Sequence, residues 1–210
     1  DTHDYHRDRR REYRQCARCD LVFVPPRFHL PPAEEKAIYD RHENAVDDPG
    51  YRRFLSRMAE PLLARLQSPS QGLDFGCGPA PLLALMLEQA GHRVALYDRY
   101  YAPDTSVLDA RYDFVTATET IEHLREPGEV FAGWVARLRP GGWLGVMTKR
   151  VIDREAFARW HYKNDLTHVA FFSTASFEFL ARQHGLALDV IGSDVVLFRK
   201  PPERPHDSGA

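Results

Sequence analysis

A tight turn between a strand and a helix is predicted at residues 72–81, whose sequence is GLDFGCGPAP. A short apolar run ends at Asp74, and two glycines follow at Gly76 and Gly78. Pro79 and Pro81 then open an apolar segment of helical periodicity, which predicts a helix from Pro79 to about Ala90. Glycines at such a turn let a ligand approach the backbone closely, and a helix start offers N–H groups without intrahelical partners. Proline is tolerated in a first helical turn. The stretch therefore predicts a ligand-binding turn.

The spacing of the glycines distinguishes two kinds of ligand. A dinucleotide site requires G-x-G-x-x-G, but Pro81 stands three residues after Gly78. Asp74 lies just before the turn, where a carboxylate would repel a pyrophosphate but would attract a cationic amino group. The pattern D-x-G-x-G instead resembles motif I of the class I methyltransferases, which use S-adenosylmethionine.

This resemblance implies roles for the residues of the turn. Gly76, Cys77 and Gly78 would pack against the cofactor, and Asp74 would help to hold its aminoacyl end. Many members of the family carry a third glycine where this chain has Ala80, and alanine is the mildest replacement. We therefore expect the cofactor site to be retained.

A second cofactor contact is predicted at the end of the next strand. Residues 93–97 form an apolar run that ends at Asp98, 20 residues after Gly78. In a strand–helix–strand unit the two strand ends lie side by side at the carboxyl edge of the sheet. A carboxylate there can accept hydrogen bonds from both ribose hydroxyls. Asp98 is the predicted ribose ligand, and Arg99 is a candidate to flank the adenine.

Residues 112–124 contain a third motif. An apolar strand ends in Thr118-Glu119, and Glu122-His123 then turns toward a helix. The sequence resembles the fourth-strand motif of small-molecule methyltransferases, including those of ubiquinone biosynthesis. The resemblance implies that Thr118 and Glu119 border the methionine moiety of the cofactor. It places His123 near the reacting centre, where imidazole can take a proton at neutral pH.

An insertion at residues 149–172 is unusually rich in aromatic and polar side chains. Related methyltransferases have D-x-T-H followed by aromatics here, on the substrate side. Tyr162, Asp165 and His168 are therefore candidate substrate contacts, and Tyr162 and His168 join His123 as candidate catalytic residues. The alternative is a structural loop in which the Asp165 carboxylate accepts a hydrogen bond from His168 and holds its ring.

The N-terminal segment contains the pair Cys16-x-x-Cys19 followed by an apolar strand, which resembles the second half of a zinc ribbon. A structural zinc site needs four ligands. His3 and His6 are the nearby candidates in this sequence. Some methyltransferases carry a four-cysteine ribbon, whose first cysteine pair would lie outside this sequence. The third possibility is a hairpin with free thiols.

Composition excludes several classes of protein. A net charge of −2 argues against nucleic acid as a general partner. No apolar run approaches the roughly 18 residues that a membrane helix needs. Three cysteines do not make a disulfide framework, and the first residues are charged, which predicts no secretory signal. We therefore expect a cytoplasmic protein that acts on a small molecule, with neither a membrane nor nucleic acid as partner.

The order of motifs predicts four parts of the chain. These are a zinc-ribbon-like hairpin and linker (1–32), a helical cap (33–70), a class I methyltransferase domain (71–200) and a flexible tail (201–210). The resemblance covers 71–200 and implies an α/β, Rossmann-like, doubly wound sheet. Its strands would be mostly parallel, with an antiparallel last strand in a terminal hairpin.

Within the predicted cap, helices are expected at 33–45 and 51–66, and Pro61 predicts a kink or a restart of the second one. Tyr39, His42 and Tyr51 would line the substrate entrance. Residues 99–110 are too few for a full third strand–helix unit, so we expect a shortened one.

The sequence predicts methyl transfer from S-adenosylmethionine to oxygen or nitrogen of a small molecule. Two alternatives remain at this point. One is a methyltransferase acting on RNA or protein, docked through the arginine-rich N-terminus. The other is a module that binds the cofactor without turnover.

Overall fold

The computed structural model describes residues 1–41 and 45–203. In chain order the strands and helices are β1 (Thr2–Arg7), β2 (Glu12–Cys16), β3 (Val22–Phe23), α1 (Pro32–Tyr39), α2 (Pro49–Leu63), β4 (Gln71–Phe75), α3 (Leu82–Gln89), β5 (Arg93–Tyr97), β6 (Tyr112–Thr118), α4 (Pro127–Arg137), β7 (Leu138–Met147), α5 (Arg154–Arg159), β8 (Ala170–Phe171), α6 (Thr174–His184), β9 (Ala187–Ile191) and β10 (Val195–Arg199). Short 3₁₀ turns connect several of them.

The main sheet has six strands in the order β5-β4-β6-β7-β10-β9. The first four strands are parallel, and β10 runs antiparallel to both β7 and β9. The predicted α/β sheet with an antiparallel terminal hairpin is therefore confirmed.

Helices cover both faces of this sheet because its strands are apolar on both sides. Successive side chains of a strand point to opposite faces. Phe114 accordingly packs with α2 and α3, whereas Val115 packs with α4 and α6. The doubly wound arrangement follows from these two apolar layers.

Gly72 in β4 is required by the packing of α2, α3 and Phe114. A Cβ added to Gly72 would lie 2.0 Å from the Phe114 ring. We expect Gly72→Ala to lower the free energy of unfolding by about 1–3 kcal/mol, the usual cost of overpacking a core. Gly128→Ala is the matched control, because a Cβ there meets nothing within 4 Å. Urea unfolding of both variants is the measurement, and equal stability would contradict the packing.

A second, smaller sheet joins the N-terminus to the insertion. Its order is β1-β2-β3-β8, and all three pairings are antiparallel. Strand β8 lies within the 149–172 insertion, so the N-terminal hairpin packs directly on the segment that carries the predicted substrate contacts. The boundaries of the four predicted parts stay a prediction.

Arg11 links the N-terminal sheet to the 149–172 insertion through hydrogen bonds. Its side chain is buried, and the guanidinium donates hydrogen bonds to the backbone oxygens of Lys163, Asp165 and Leu166 at 2.5, 2.8 and 3.1 Å. A further bond of 2.9 Å reaches the Tyr13 hydroxyl. Because these carbonyls flank the predicted substrate contacts, Arg11 fixes the backbone from which they project.

Two helices that contain or follow prolines differ from the predictions. Helix α3 begins at Leu82 rather than at Pro79, since the residue before Pro81 is disfavoured in the helical conformation. Helix α2 continues through Pro61 to Leu63, so the predicted restart is wrong. Pro61 lies in the last turn of α2, where few backbone hydrogen bonds depend on it.

Other expectations concern shorter segments. The third unit is shortened as predicted, to a 3₁₀ turn at Thr105–Asp109. Strand β7 starts at Leu138 and includes Pro140-Gly141-Gly142, where Gly141 has φ 78° and the register with β6 shifts. Helix α1 ends at Tyr39. His42 and residues 204–210 of the predicted tail lie outside the described residues.

Within the described ranges, no helix combines the length and the apolar character needed to cross a membrane.

Candidate active site

The carboxyl ends of the parallel strands form one edge of the main sheet. The end of β5 meets the glycine turn there, since the N–H of Gly76 donates to the Tyr97 carbonyl at 2.7 Å. The end of β6 meets β7 through Glu119, whose N–H donates to the Met147 carbonyl at 2.8 Å. The motifs predicted from separate stretches therefore lie along this carboxyl edge of the sheet (the crevice), where open α/β sheets bind their ligands.

The two glycines of the turn serve different purposes. Gly76 has φ 77°, and a Cβ there would lie 2.3 Å from Thr120 Oγ1, so the protein itself crowds this residue. Gly78 has φ 64°, and a Cβ there would meet nothing within 4 Å. Cys77 between them is buried, and burial raises the pKa of its thiol to about 12. The open side of the turn is therefore at Gly78.

Asp98 ties the end of β5 to this turn. Its Oδ2 accepts a 3.1 Å hydrogen bond from the Gly78 N–H, and its Oδ1 accepts from the N–H groups of Tyr100 and Tyr101 at 2.8 and 3.1 Å. The carboxylate is thus held in one orientation beside the open side of the turn. Arg99 is exposed, with its guanidinium 4.9 Å from the centre of the Tyr100 ring.

Asp74 lies beneath the turn rather than in the crevice. Asp74 is only 3% exposed, and the Thr116 hydroxyl donates a hydrogen bond of 2.7 Å to its Oδ1. Burial raises the pKa of Asp74 to about 6. Burial, and then the nearby Asp74 and Glu119 carboxylates, raise the pKa of the Tyr51 hydroxyl on α2 to about 12. The Tyr51 hydroxyl therefore lies within electrostatic range of the turn, and its predicted place at the substrate entrance stays a prediction.

Two glutamates, the buried Glu122 and the half-buried Glu119, meet at Tyr162. The Tyr162 hydroxyl contacts Glu122 Oε1 in a very short hydrogen bond and lies 3.2 Å from Glu119 Oε2. Thr148 Oγ1, at the end of β7, lies 3.2 Å from the same hydroxyl. Glu119 has φ 48°, a left-handed conformation that costs energy for a residue other than glycine. This backbone turns its carboxyl toward Tyr162.

The two carboxyls hold protons more tightly than free glutamate. Burial, followed by the charge of Glu119, raises the pKa of Glu122 to about 8. Burial raises the pKa of Glu119 to about 7, against a smaller lowering by the Tyr162 hydrogen bond and by Lys149. Burial and the same carboxylates raise the pKa of Tyr162 well above its usual range. Near neutral pH this pair can accept and release a proton.

The predicted histidines lie against this pair. His168 is buried, and its Nδ1 lies 2.8 Å from the Tyr162 carbonyl oxygen. The His123 and His168 rings are 4.6 Å apart, and Tyr39 packs edge-on to His123 at 5.2 Å. The Asp165 carboxylate accepts from Thr167 N and Oγ1, and its Oδ2 is 3.9 Å from His168 Nε2.

One group of side chains has the spacing of a metal site. Glu122, His123 and His168 each bring one ligand atom to within 4.8 Å of the others. No other group of three such ligands occurs in residues 1–41 and 45–203. Cys16 and Cys19, at the turn between β2 and β3, therefore have no third metal ligand among the described residues. Zinc binding at this pair stays a prediction.

The histidine alternative for zinc finds no support in the contacts. His3 Nε2 lies 3.0 Å from Gln15 Oε1, and His6 packs 5.9 Å from the Phe157 ring. Both cysteines have free thiols in the structure.

Some members of the site could not be recognised from the sequence. Glu122 was visible within the motif, but its burial against Tyr162 depends on the insertion folding back. The spacing Glu119-x-x-Glu122 was the available signal, since a 3₁₀ turn at Ile121–His123 brings the two carboxyls toward one hydroxyl. Arg11 had no local signal for its role, because the carbonyls of the insertion that it binds lie more than 150 residues away.

The residues present fit the cofactor that the motifs imply. Thr118 Oγ1 and Glu119 Oε1 are buried and have no hydrogen-bond partner among the described residues. Together with the open side of Gly78 and the fixed Asp98 carboxylate, they offer polar groups along the crevice. Hydroxyls and an ammonium group are the ligand groups that such oxygens recognise.

Comparison with known proteins finds similarity to methyltransferases. Ubiquinone biosynthesis O-methyltransferase of Serratia proteamaculans is 30% identical over 80 residues, which cover 38% of this chain and 33% of that protein. The match thus spans about a third of the relative's length.

Two solved structures from Burkholderia thailandensis share the fold. An O-methyltransferase family protein has a TM-score of 0.58 at 17% identity, covering 84% of this chain and 62% of its own. The 1,6-didemethyltoxoflavin-N1-methyltransferase, with bound 1,6-didemethyltoxoflavin and S-adenosylhomocysteine, has a TM-score of 0.55 at 19% identity and covers 94% and 99%.

A family model described as "Methyltransferase domain" matches residues 44–190, which is more than half of the chain. The matched range includes the glycine turn, Asp98, the two glutamates and the insertion. The chain belongs to this methyltransferase domain family.

Proposed function

We propose that the protein transfers a methyl group from S-adenosylmethionine to an oxygen or nitrogen atom of a small molecule. One observation supports this above all others. The Asp98-bound glycine turn and the hydrogen-bonded pair Glu119 and Glu122 lie along the same crevice, so the proposed cofactor site adjoins groups that can take a proton.

The cofactor side of the proposal uses the turn and its neighbours. Gly78 provides room for close approach to the backbone, and the Asp98 carboxylate would accept a hydrogen bond from a ribose hydroxyl. Thr118 and Glu119 would face the methionine portion. Asp74, beneath the turn, would act on the amino group through its charge. The bound cofactor supplies an electrophilic methyl group on a good leaving group.

The acceptor side uses the polar cluster around Tyr162. A hydroxyl or amine becomes a better nucleophile when its proton is removed as attack begins. Glu119, Glu122 and Tyr162 form one hydrogen-bonded unit in which that proton can be held. His123 and His168 pack beside it and stay candidates for the same role. Because methyl transfer also depends on alignment, the Arg11-anchored loop would keep these groups in place.

Burial of the proton-accepting groups favours a small acceptor. Glu122 is fully buried, and Tyr162 is 7% exposed. A small molecule can enter a crevice to reach such groups, whereas a folded macromolecule would have to project a single side chain or base into it. Similarity to a ubiquinone biosynthesis O-methyltransferase and to a 1,6-didemethyltoxoflavin-N1-methyltransferase supports the same proposal.

The test is a methyl-transfer assay in which purified protein receives S-adenosylmethionine and pools of phenols, catechols, amines and carboxylic acids. The expected result is S-adenosylhomocysteine formation that depends on one acceptor class and is lost in Tyr162→Phe. Product formation only with RNA or protein pools would support the alternative enzyme. Tight cofactor binding without product from any pool would identify a non-catalytic module.

A further inference from the structure

A wide cleft lies close to Tyr162, between the N-terminal sheet and the main sheet. It has a volume of about 790 Å³ and is lined by residues from β1, α2, the start of α6 and the segment after β7. That segment includes Lys149, which follows Thr148, a partner of the Tyr162 hydroxyl. The Lys149 side of the cleft therefore lies next to Tyr162, whose ring centre is 5.3 Å from Lys149 Nζ.

The cations of this cleft differ in how their charge is used. Arg57 is paired with Asp194 at 2.5 Å. Arg150 donates hydrogen bonds to the Gly192 carbonyl at 2.5 Å and to the Val195 carbonyl at 3.4 Å. Both guanidiniums therefore hold the hairpin between β9 and β10 and have protein partners of their own.

Lys149 is held differently. Its Nζ lies 5.3 Å from the centre of the Tyr162 ring and 3.4 Å from His161 Nε2. No carboxylate of residues 1–41 or 45–203 lies within ion-pair distance of it. The side chain is half-buried, so an anion that pairs with it would be partly shielded from water.

Apolar surface adjoins this ammonium group. Trp160 lines the cleft, and its ring packs 5.0 Å from that of Tyr162. Val151 and Ile152 also line it, and Ile152 is 85% exposed, the most exposed of the large hydrophobic residues. A ring lying on this wall would have one end near Lys149 and could direct the other toward Tyr162.

We propose that the acceptor is an anionic ring compound whose carboxylate, sulfonate or phosphate binds Lys149 while its ring packs against Trp160 and Ile152. This assignment rests on the proposed function and names the substrate class for the same site. The anion would hold the opposite end of the ring toward Glu119 and Glu122, where a hydroxyl or amine loses its proton.

A simpler role for Lys149 is to balance the charge of Glu119. The two roles predict different behaviour. If Lys149 only tunes Glu119, its removal affects charged and neutral ligands alike. If it pairs with the ligand, its removal affects only the charged one.

The experiment compares 3,4-dihydroxybenzoate with 3,4-dihydroxybenzyl alcohol, which differ in the charged group. Ligand-observed NMR titrations give Kd for each, with and without S-adenosylhomocysteine. We expect the carboxylate to bind about tenfold more tightly to the natural protein, and Lys149→Met to remove that advantage without changing the alcohol's Kd. Salt should weaken only the carboxylate. Phenyl phosphate and benzenesulfonate, each against phenol, show which anion is preferred.

Arg159→Met is the matched control, since Arg159 is an exposed cation that pairs with Glu155 and does not line the cleft. It should leave both Kd values unchanged. Equal binding of charged and neutral probes, equal weakening of both by Lys149→Met, or no binding of any anionic probe would overturn the assignment. Calorimetry with S-adenosylmethionine on the same samples tests the proposed function separately, because it does not depend on the acceptor.

Discussion

Asp98→Ala is expected to weaken S-adenosylmethionine binding by at least about 100-fold, because hydrogen bonds to a charged group contribute about 1.5–3 kcal/mol each. The carboxylate already accepts from the N–H groups of Gly78, Tyr100 and Tyr101, so about one of its roughly four lone-pair sites, on Oδ2, is left for a ribose hydroxyl. Alanine removes the ribose acceptor and also releases the turn. Calorimetric titration of both proteins with the cofactor is the measurement.

Asp104→Ala serves as the control for this prediction. Asp104 is also an aspartate whose carboxylate accepts from backbone, at Ser106 N, but it is exposed and lies in the shortened third unit. Its removal should leave cofactor affinity unchanged. Asp98→Ala that retains affinity within about threefold would contradict the ribose assignment, since such a change is under 1 kcal/mol.

Glu122→Gln is expected to stabilise the protein at alkaline pH. The folded-state pKa of Glu122 is raised to about 8 by burial, above its ordinary value. Its contribution to stability is therefore fully present below the unfolded pKa and is lost as pH rises through about 8. Glutamine resembles the protonated acid and can still accept from Tyr162. At pH 9 the variant should gain on the order of 3 kcal/mol in free energy of unfolding.

Urea unfolding at about pH 5 and pH 9 measures this difference, which should be small at the lower pH because the wild-type carboxyl is then protonated. Glu129→Gln is the control, because Glu129 is exposed on α4. It should show no pH-dependent gain. A Glu122→Gln protein that is destabilised equally at both pH values would mean that the buried carboxyl is ionised in the native state.

The sequence predicted the parts of the site that are built from local motifs. Gly76, Gly78 and Asp98 come together because a strand–turn–helix–strand unit has one preferred geometry. The strand ending at Thr118 and the terminal hairpin are set by apolar periodicity, which is also local. The same reasoning predicted the shortened third unit from its length alone.

Contacts between distant segments were beyond such reasoning. Tyr162 was singled out because the insertion around it is rich in aromatic and polar side chains. Its position beside Glu119 and Glu122, however, depends on the insertion packing against the N-terminal sheet. That packing depends on Arg11 and on the β3–β8 pairing, whose residues are separated by about 150 positions. No periodicity or motif spacing links segments so far apart.

Calorimetric titration with S-adenosylmethionine, and separately with NAD, tests the proposed cofactor without knowledge of the acceptor. We predict binding of S-adenosylmethionine with a Kd of micromolar order, about −8 kcal/mol, and no heat from NAD. Binding of NAD alone, or of neither compound, would contradict the assignment of the glycine turn and Asp98 to S-adenosylmethionine.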